Sequence, residues 1–472
     1  MTKDNKPIWT IHEVTEVLGL PTPVANAAIN GVSIDSRTVG EGDLFFAIKG
    51  ERFDGHDFVA KALEAGAAFA VVSKSLVNLD TTKLLVVDDV LKAMEKLGIA
   101  ARKRLEENEK TKVIAVTGSV GKTGTKEALR TTFEASGSVH ASVASFNNHW
   151  GVPLTLCRTI RDVDFAIYEI GMNHPGEITS LVGFVRPHIA IITTVASVHI
   201  EFFESEQEIA RAKAEIFSGV EPGGYAVLNL DNLHFEFLKG LADELELNVV
   251  TFGETQGADV RLLNHTLAPD SSDVMIELFG QTKRYKIGAS GRHVIQNSLA
   301  VAAALHLAGA DVHAGLDALG SIKAQKGRGA RQALDIDGGT FVLLDESYNA
   351  NPASMRAALS LLKANEPGDG GRRIAVLGDM LELGEDSSRL HADLRHAVES
   401  ANVDMVFLSG PHMERLFEVL PLTIQKKYAS QSGGLKESLL SEVAKGDVVM
   451  IKGSLGSRMG PLVEALVEKY SA

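Results

Sequence analysis

The sequence predicts an α/β protein with three domains: a small α/β N-terminal domain (1–109), a central domain with a parallel sheet (110–322) and a C-terminal Rossmann-like domain (323–472). The length of 472 residues corresponds to about three domains at roughly 150 residues each. Continuous apolar strands alternate with helical segments after residue 112, which is typical of parallel sheets covered by helices on both faces. The polar run at 106–112, Glu-Glu-Asn-Glu-Lys-Thr-Lys, marks the first boundary.

The first block mixes short strands and helices. Apolar residues at 43–48 predict a strand, and the small residues at 58–67 predict a helix. A longer helix is predicted over 90–107, where apolar and charged positions alternate at helical spacing.

The second block begins with an apolar strand at 113–116, a glycine-rich turn and a helix over 122–135. Further strands are predicted at 165–168 and 189–192, and a helix over 297–310 ends the block. The third block starts near 324, and its predicted strands lie at 341–344, 374–377, 405–408 and 448–451. Helical stretches separate these strands, which indicates a second doubly wound α/β unit.

The composition is that of ordinary globular domains, with 45% hydrophobic and 23% charged residues. Lys and Arg number 47 against 61 Asp and Glu, so the net charge of −14 argues against a general nucleic-acid-binding protein, although a local basic pocket is compatible with it. Cys157 is the only cysteine, which excludes an internal disulfide and a multi-cysteine metal site, and we expect a buried thiol.

We expect neither a signal peptide nor a membrane-spanning segment. The N-terminal residues have no apolar core, and no run of about eighteen consecutive residues is apolar. A reducing cytoplasm is therefore the expected location, and nothing in the sequence demands more than a monomer.

The strongest local signal is the segment 117–123, Thr-Gly-Ser-Val-Gly-Lys-Thr, between an apolar strand and a helix. Glycines allow a tight turn that aims backbone N–H groups at phosphate oxygens, Lys122 supplies a positive charge, and the Thr123 hydroxyl can ligate Mg²⁺. Only two residues separate the glycines, where the common pattern has four. The alternative, a chance glycine turn, leaves the lysine and threonine together unexplained. The segment therefore predicts a phosphate loop in a P-loop mononucleotide-binding domain.

Three polar residues downstream are candidates for the same site. Glu169 ends a predicted strand, where a carboxylate can hold Mg²⁺, although an ordinary strand-end acid is equally compatible. His199 follows the strand at 189–192 and taken alone is more often a satisfied histidine than a ligand. Lys213 lies on a helix that we expect to start at Ser205, and most helical lysines are solvated. Phosphate binding alone does not identify the reaction, because it fits a GTPase, a kinase, a motor or a ligase. The remaining site residues, considered together, must distinguish these classes.

In order and spacing, several segments resemble the Mur ligases, the ATP-dependent amide-forming ligases of bacterial cell-wall precursor synthesis; they lie at 117–123, 169–171, 199 and 212–216. Three further groups of segments indicate one branch within this family. They lie at 35–37 with 55–58, at 147–153 and at 345–352. They imply an enzyme that joins D-alanyl-D-alanine to UDP-N-acetylmuramoyl-tripeptide in peptidoglycan synthesis, a process tied to cell shape and division. His149 departs from the pattern, since an acidic or smaller residue is expected there.

The resemblance implies a role for each matched residue. ATP would lie on Gly118, Ser119, Val120, Gly121, Lys122 and Thr123. Thr123 and Glu169 would hold one Mg²⁺ and His199 a second, with Lys213 carbamylated by CO₂ so that it becomes an anionic oxygen ligand. Asn297 would meet the adenine, and Arg328 and Asp345 would close over the nucleotide from the C-terminal domain.

The resemblance also implies where the two substrates bind. Ser36, Arg37 and Lys49 would contact the UDP end of the acceptor. Asn147 and Asn148 would contact substrate from the central domain. The dipeptide would meet strand-end and loop residues of the C-terminal domain: Asn349, Asn351, Asp379 and Lys452. The two asparagines are equally compatible with turn positions before Pro352.

The implied chemistry is activation of a carboxylate by ATP through an acyl phosphate, within domains that close to exclude water. Two other classes stay open. One is another ligase of the superfamily, such as folylpolyglutamate synthase or the ligase that adds the third peptide residue. The other is a nucleotide-switch ATPase that makes no bond. The pair of Lys122 and Thr123 argues against a non-catalytic scaffold, because a scaffold does not need a phosphate-binding lysine and a metal-ligating threonine.

Overall fold

The computed structural model describes residues 7–24, 26–50, 52–76, 78–108, 110–196, 200–203 and 205–471. Their strands form four sheets, of two, four, nine and six strands. The predicted α/β class with parallel sheets is confirmed. Within these ranges, no helix combines the length and the apolar character needed to cross a bilayer.

The N-terminal region holds a four-stranded parallel sheet in the order β3-β4-β5-β6 and a small antiparallel pair, β1 and β2. Its strands are β1 (Trp9–Thr10), β2 (Ala28–Ile29), β3 (Gly31–Ser33), β4 (Asp43–Phe46), β5 (Phe69–Val72) and β6 (Leu84–Val86). Its helices are α1 (Ile11–Leu18), α2 (Val59–Glu64) and α3 (Val90–Glu106). The helix predicted over 58–67 is shorter than expected, because a 3₁₀ turn at Gly55–Phe58 precedes α2.

Helix α3 joins the N-terminal region to the central domain. Asp89 caps its N-terminus by accepting a hydrogen bond from the Lys92 N–H, and α3 packs on a helix of the central domain at Gly151–Cys157. The Arg104 guanidinium lies 3.7 Å from the centre of the Trp9 ring, and the indole of Trp9 donates to the Cys157 carbonyl (2.8 Å). The N-terminal region is therefore attached to the central domain through a shared apolar core.

The central domain contains a nine-stranded sheet in the order β15-β14-β13-β12-β11-β10-β7-β9-β8. Its strands are β7 (Lys112–Thr117), β8 (Val139–Ala141), β9 (Phe165–Glu169), β10 (Ile189–Ile192), β11 (Tyr225–Asn229), β12 (Asn248–Gly253), β13 (Val260–Leu267), β14 (Ser272–Leu278) and β15 (Gln281–Ile287). Its helices are α4 (Lys122–Phe133), α5 (Gly151–Cys157), α6 (Glu177–Val185), α7 (Glu206–Ala214), α8 (Phe235–Glu244), α9 (Arg292–Leu307) and α10 (Val312–Ala318).

Helices cover both faces of this sheet, as predicted. Successive residues of β7 point to opposite faces: Ile114 joins a core with α4 and α9, and Ala115 joins a core with α6, α7 and α8. Helix α9 begins at Arg292 rather than at the expected 297, directly after Gly291 at a φ of 129°. The helix that we expected from Ser205 is confirmed, since the Ser205 hydroxyl accepts from the Glu208 N–H at the start of α7.

The sheet is not parallel throughout. The seven strands β7 to β13 pair in parallel. Strands β14 and β15 continue the sheet in antiparallel pairing. A two-residue turn joins β14 to β15, with positive φ at both Phe279 (45°) and Gly280 (79°), as hairpin turns of this length require. The sequence prediction missed this hairpin because its strands alternate buried and exposed residues, unlike the continuous apolar strands beside it.

The C-terminal domain contains a six-stranded sheet in the order β16-β17-β21-β18-β19-β20, parallel except for the edge strand β16. Its strands are β16 (Ala330–Ile336), β17 (Gly339–Glu346), β18 (Arg373–Gly378), β19 (Met405–Ser409), β20 (Gln425–Ala429) and β21 (Val448–Lys452). Its helices are α11 (Pro352–Ala364), α12 (Ser387–Ala392), α13 (Arg395–Ser400), α14 (Met413–Val419), α15 (Lys436–Glu442) and α16 (Gly460–Tyr470).

Cys157 lies at the end of α5, where α5 packs on α3, and this packing yields a testable prediction. Its thiol is fully buried, donates to the Met94 carbonyl (3.2 Å), and has a pKa that burial raises above its ordinary value. Since only the thiolate reacts with disulfide reagents, we expect no labelling of the native protein at mildly alkaline pH and complete labelling in guanidinium chloride. Rapid labelling of the native protein, followed by absorbance of the released thiol, would contradict this packing.

Candidate active site

The phosphate loop connects β7 to α4 at the carboxyl edge of the central sheet. Gly118 has a φ of 147° and Gly121 a φ of 89°, so both adopt a backbone conformation that favours glycine. A Cβ on Gly118 would lie 2.0 Å from Thr193 Oγ1, and one on Gly121 would lie 2.8 Å from Asn297 Oδ1. The glycines are therefore required by backbone conformation and by close neighbours, which agrees with the predicted loop.

Lys122 begins α4, and its ammonium folds back over the loop. Its Nζ donates to the Gly118 carbonyl at 2.7 Å. Burial lowers the pKa of Lys122, the neighbouring Glu169 opposes this, and Arg328 adds to it. Arg328 is a residue of the C-terminal domain, so cationic groups of two domains lie close together at this loop.

Glu169 ends β9 and is completely buried. Its Oε1 accepts from Thr123 Oγ1 (3.1 Å) and from Asn147 Nδ2 (2.7 Å), whereas its Oε2 has no hydrogen-bond partner in the part of the chain that the structure describes. A buried carboxylate oxygen without a partner is costly, and a cation beside it would remove that cost. The residues present thus fit a hard cation held by Thr123 and Glu169.

Among the described residues, no three His, Cys, Asp or Glu side chains are grouped as a metal site. The predicted ligand His199 lies outside the described residues.

Lys213 lies near the end of α7, with 1% of its surface exposed. Its ammonium makes no hydrogen bond or ion pair with any residue that the structure describes. Burial lowers its pKa well below the ordinary value, the positive charge of Lys122 lowers it further, and Glu215 and Glu177 act in the opposite direction. Lys213 is therefore a buried amine whose charge is disfavoured both by burial and by the charge of Lys122.

The loop at residues 142–148, hereafter the 142–148 loop, connects the phosphate loop of the central domain with Arg328 of the C-terminal domain. Ser145 Oγ is 3.2 Å from Thr123 Oγ1 and accepts from Arg328 Nη2 at 3.4 Å. Arg328 also stacks on Tyr348, with the guanidinium 4.1 Å from the ring centre. Arg328, which is predicted to contact the nucleotide, therefore reaches from the C-terminal domain to Ser145, the neighbour of Thr123 in the 142–148 loop.

The other two predicted nucleotide contacts take different positions. Asn297 lies on α9 directly beside Gly121. Asp345 lies in β17, and its carboxylate accepts from the Gly327 N–H (2.8 Å) and the Ser347 hydroxyl (2.6 Å). Asp345 thus orders the backbone on which Arg328 is carried.

The predicted dipeptide contacts of the C-terminal domain lie at the carboxyl ends of strands or just after them. Lys452 ends β21, and its buried ammonium donates to the Asn349 carbonyl (2.9 Å) and to Glu346 (3.4 Å); burial lowers its pKa. The Asp379 carboxylate accepts from the Met413 N–H (2.9 Å). These charged groups already have protein partners.

Three of the four asparagines predicted as substrate contacts hydrogen bond to residues nearby in the chain, whereas Asn147 donates to Glu169. Asn351 caps α11 by accepting from the Ser354 N–H, and Asn349 accepts from the Ala350 N–H. Asn148 accepts from the Gly151 N–H at the start of α5. These side chains hold turns and helix ends, which agrees with the alternative interpretation as turn residues for Asn349 and Asn351.

The predicted acceptor contacts lie in the N-terminal region. Ser36 is largely buried, and Arg37 is exposed and hydrogen bonded to Asp35, which lowers the pKa of Asp35 to about 2. Lys49 is exposed, beside Gly50, where a Cβ would lie 2.9 Å from the Trp150 ring. His149, whose presence departs from the family pattern, lies edge-on to Trp150 (5.4 Å between ring centres).

Sequence reasoning missed Thr193, Ser145 and Lys126. Thr193 Oγ1 donates to the Val120 carbonyl (2.6 Å), and its place directly after β10 was a usable signal. Lys126 is fully buried on α4 and contacts the 142–148 loop. Nothing in its spacing distinguishes it from a solvated helical lysine.

Comparisons with known proteins cover nearly the whole chain. Three family models match in order: "Mur ligase family, catalytic domain" at 28–113, "Mur ligase middle domain" at 116–305 and "Mur ligase, glutamate ligase domain" at 332–455. A UDP-N-acetylmuramoyl-tripeptide–D-alanyl-D-alanine ligase of Rickettsia prowazekii is 33% identical over 97% of this chain and 99% of its own length.

Two solved structures are similar over nearly their whole length. A crystal structure of MurF from Acinetobacter baumannii has a TM-score of 0.84 and 29% identity, covering 98% of this chain and 99% of that one. MurF ligase from Thermotoga maritima in complex with ADP has a TM-score of 0.75 and 27% identity, covering 93% and 97%.

Gly121→Ala tests the geometry of the loop. A Cβ would favour a different φ and would crowd the Asn297 amide, so we expect affinity for ADP, measured by calorimetry, to fall about tenfold while the fold is kept. Gly183→Ala in α6 is the matched control, because nothing lies within 4 Å of the added methyl group. Equal affinity of Gly121→Ala and wild type would contradict the assignment of the loop.

Proposed function

The chain belongs to the Mur ligase family, and on that premise we propose that it joins D-alanyl-D-alanine to UDP-N-acetylmuramoyl-tripeptide, with ATP converted to ADP and phosphate. The observation that carries the proposal is the buried Glu169 with one unpaired oxygen, next to Thr123 of the phosphate loop. The relatives named for this reaction, similar over nearly the whole chain, support it over the other ligases of the superfamily.

The reaction needs activation because a free carboxylate does not acylate an amine at neutral pH. A carboxylate oxygen of the acceptor attacks the γ-phosphorus of ATP, the bond to the bridging oxygen breaks, and ADP leaves. The dipeptide nitrogen then attacks the acyl carbon of the acyl phosphate, inorganic phosphate leaves, and the nitrogen loses its proton. An amide remains.

The phosphate loop does the electrostatic part of this work. The N-terminus of α4 and the backbone of Gly118, Val120, Gly121 and Thr123 would face the phosphates, whereas the Ser119 N–H donates to the Thr194 carbonyl (2.9 Å) and fixes the shape of the loop. The Lys122 ammonium would exchange the Gly118 carbonyl for phosphoryl oxygens. Asn297, Arg328 and Asp345 position the nucleotide.

Thr123 and Glu169 are the residues that would hold Mg²⁺, with His199 as a second site. When bound, the ion neutralises charge on the phosphoryl oxygens. Asn147 and Thr123 donate to Glu169 Oε1, and Oε2, which has no hydrogen-bond partner among the described residues, would be the oxygen that ligates the ion.

We further propose that Lys213 is carbamylated. The neutral amine attacks CO₂, a C–N bond forms, and a proton leaves, so that an ammonium becomes an anionic oxygen ligand. The lowered pKa of Lys213 leaves more free amine at neutral pH than an exposed lysine has, and the ammonium has no partner that the reaction would displace in the described chain.

The substrates occupy the edges of the three proposed domains, 1–109, 110–322 and 323–472. Ser36, Arg37 and Lys49 would contact the UDP end of the acceptor, and Asn147 and Asn148 would contact substrate from the central domain. Asn349, Asn351, Asp379 and Lys452 form the dipeptide side. We propose that the enzyme acts as a monomer, because a single chain supplies every residue named here. We also propose that it works in a reducing cytoplasm, which suits a chain whose one cysteine is a buried free thiol.

Release of ADP with each substrate omitted in turn tests the reaction. We expect ADP release over many turnovers only when UDP-N-acetylmuramoyl-tripeptide and D-alanyl-D-alanine are both present, since the acceptor alone can yield at most about one ADP per enzyme. In Lys122→Ala we expect this turnover to fall about 100-fold or more. Lys239→Ala, an exposed lysine paired with Asp243, is the matched control. Continuous ADP release when both the acceptor and the dipeptide are absent would indicate a nucleotide switch. ADP release that depends on a folate, or on the amino acid that becomes the third residue of the peptide, would indicate another ligase of the superfamily.

The carbamate has its own test. We expect Lys213→Ala to be nearly inactive and to regain part of its turnover when short-chain carboxylic acids are added, because their carboxylate can occupy the space of the missing carbamate. The same acids should not stimulate Lys239→Ala. Wild-type turnover in Lys213→Ala would rule out a ligand role for this side chain.

A further inference from the structure

We propose that Lys126 is a positioning residue that holds the 142–148 loop against Glu169 and thereby sets the cation site of the phosphate loop. The inference rests on the proposed function for the cation itself. Lys126 lies one turn of α4 after Lys122, is completely buried, and contacts neither nucleotide-facing backbone nor the Glu169 carboxylate among the described residues.

All three donors of the Lys126 ammonium are used. Nζ donates to the Ser142 carbonyl (2.7 Å) and the Ala144 carbonyl (3.0 Å), and it pairs with the Glu127 carboxylate. Two of these acceptors are backbone carbonyls of one short loop that follows β8. The side chain therefore ties that loop to the helix of the phosphate loop.

The 142–148 loop in turn supplies the groups that surround Glu169. Ser142 Oγ accepts from the Glu169 N–H (3.3 Å), Asn147 donates to Glu169 Oε1 (2.7 Å), and Ser145 contacts Thr123 Oγ1 (3.2 Å). The loop thus determines which Glu169 oxygen is satisfied by protein and which is left for a cation.

Ala144 gives a second, independent sign that the loop is held in place. Its φ of 49° lies in the left-handed region, which disfavours residues with a Cβ. The Ala144 carbonyl is one of the two that Lys126 binds. Loss of the ammonium would remove the hydrogen bond that offsets this conformation, so the loop should relax away from Glu169.

Calorimetry of ADP binding, in excess Mg²⁺ and in EDTA, separates a positioning role from a general structural one. In Lys126→Met we expect the affinity for ADP in EDTA to be unchanged, because the phosphate loop stays intact. The increase in ADP affinity caused by Mg²⁺ should be about 10- to 100-fold smaller than in wild type. Arg130→Met is the matched control: Arg130 also pairs with Glu127 but makes no contact with the 142–148 loop.

A rescue variant tests the route through the loop. In Lys126→Met/Ala144→Gly, glycine accepts the left-handed conformation without the ammonium, so part of the lost Mg²⁺ effect should return. A purely structural role of Lys126 would not be repaired at residue 144, and absence of recovery would overturn the assignment to this loop. If Lys126→Met does not fold, Lys126→Gln is measured by the same criteria.

The outcomes separate the two proposals. No Mg²⁺ effect in wild type would overturn the proposed cation site. A clear effect in wild type that Lys126→Met retains in full, or that Arg130→Met loses equally, would overturn the role of Lys126 and leave the cation site standing.

Discussion

The carboxylate of Glu169 is surrounded by protein, and only one of its two oxygens has a hydrogen-bond partner within the described residues. Removing a charged group from water costs several kcal/mol unless partners replace the lost hydration. Thr123 from the phosphate loop and Asn147 from the 142–148 loop supply that replacement on one side only. The phosphate loop, β9 and the 142–148 loop are arranged around this half-satisfied group, and a bound cation would complete it.

The contact between Arg328 and Ser145 extends this arrangement to the C-terminal domain. Ser145 lies between Thr123 and Arg328, and Asp345 orders the backbone that carries Arg328. A chain of hydrogen bonds therefore runs from the carboxyl edge of one sheet to that of the other. The two sheets meet at the edges where open α/β sheets bind ligands, and one reaction can draw on residues of both.

Local features of the site could be predicted from sequence, and features made by distant contacts could not. The turn at Gly118 and Gly121, the start of α4 at Lys122 and the position of Glu169 depend on residues that are neighbours in the chain. The clamp by Lys126 depends on carbonyls 16 and 18 residues away, which no spacing rule reveals. The β14–β15 hairpin was missed because its alternating burial differs from the continuous apolar pattern of the parallel strands. The asparagines at 349 and 351 show the limit of a motif, since the motif identifies the residues but not whether their side chains face a substrate or a turn.

The hairpin also ends the nine-stranded sheet with β15 as its outer strand. Lys283, Arg284 and Lys286 place three positive charges within four consecutive residues of this strand. A terminal strand of a large sheet is a template for pairing with another molecule, and like charges facing each other across such a pairing repel. The added hairpin thus replaces what would be an apolar parallel strand at this border with a cationic one. We therefore expect this border strand to resist edge-to-edge pairing with a second copy of itself.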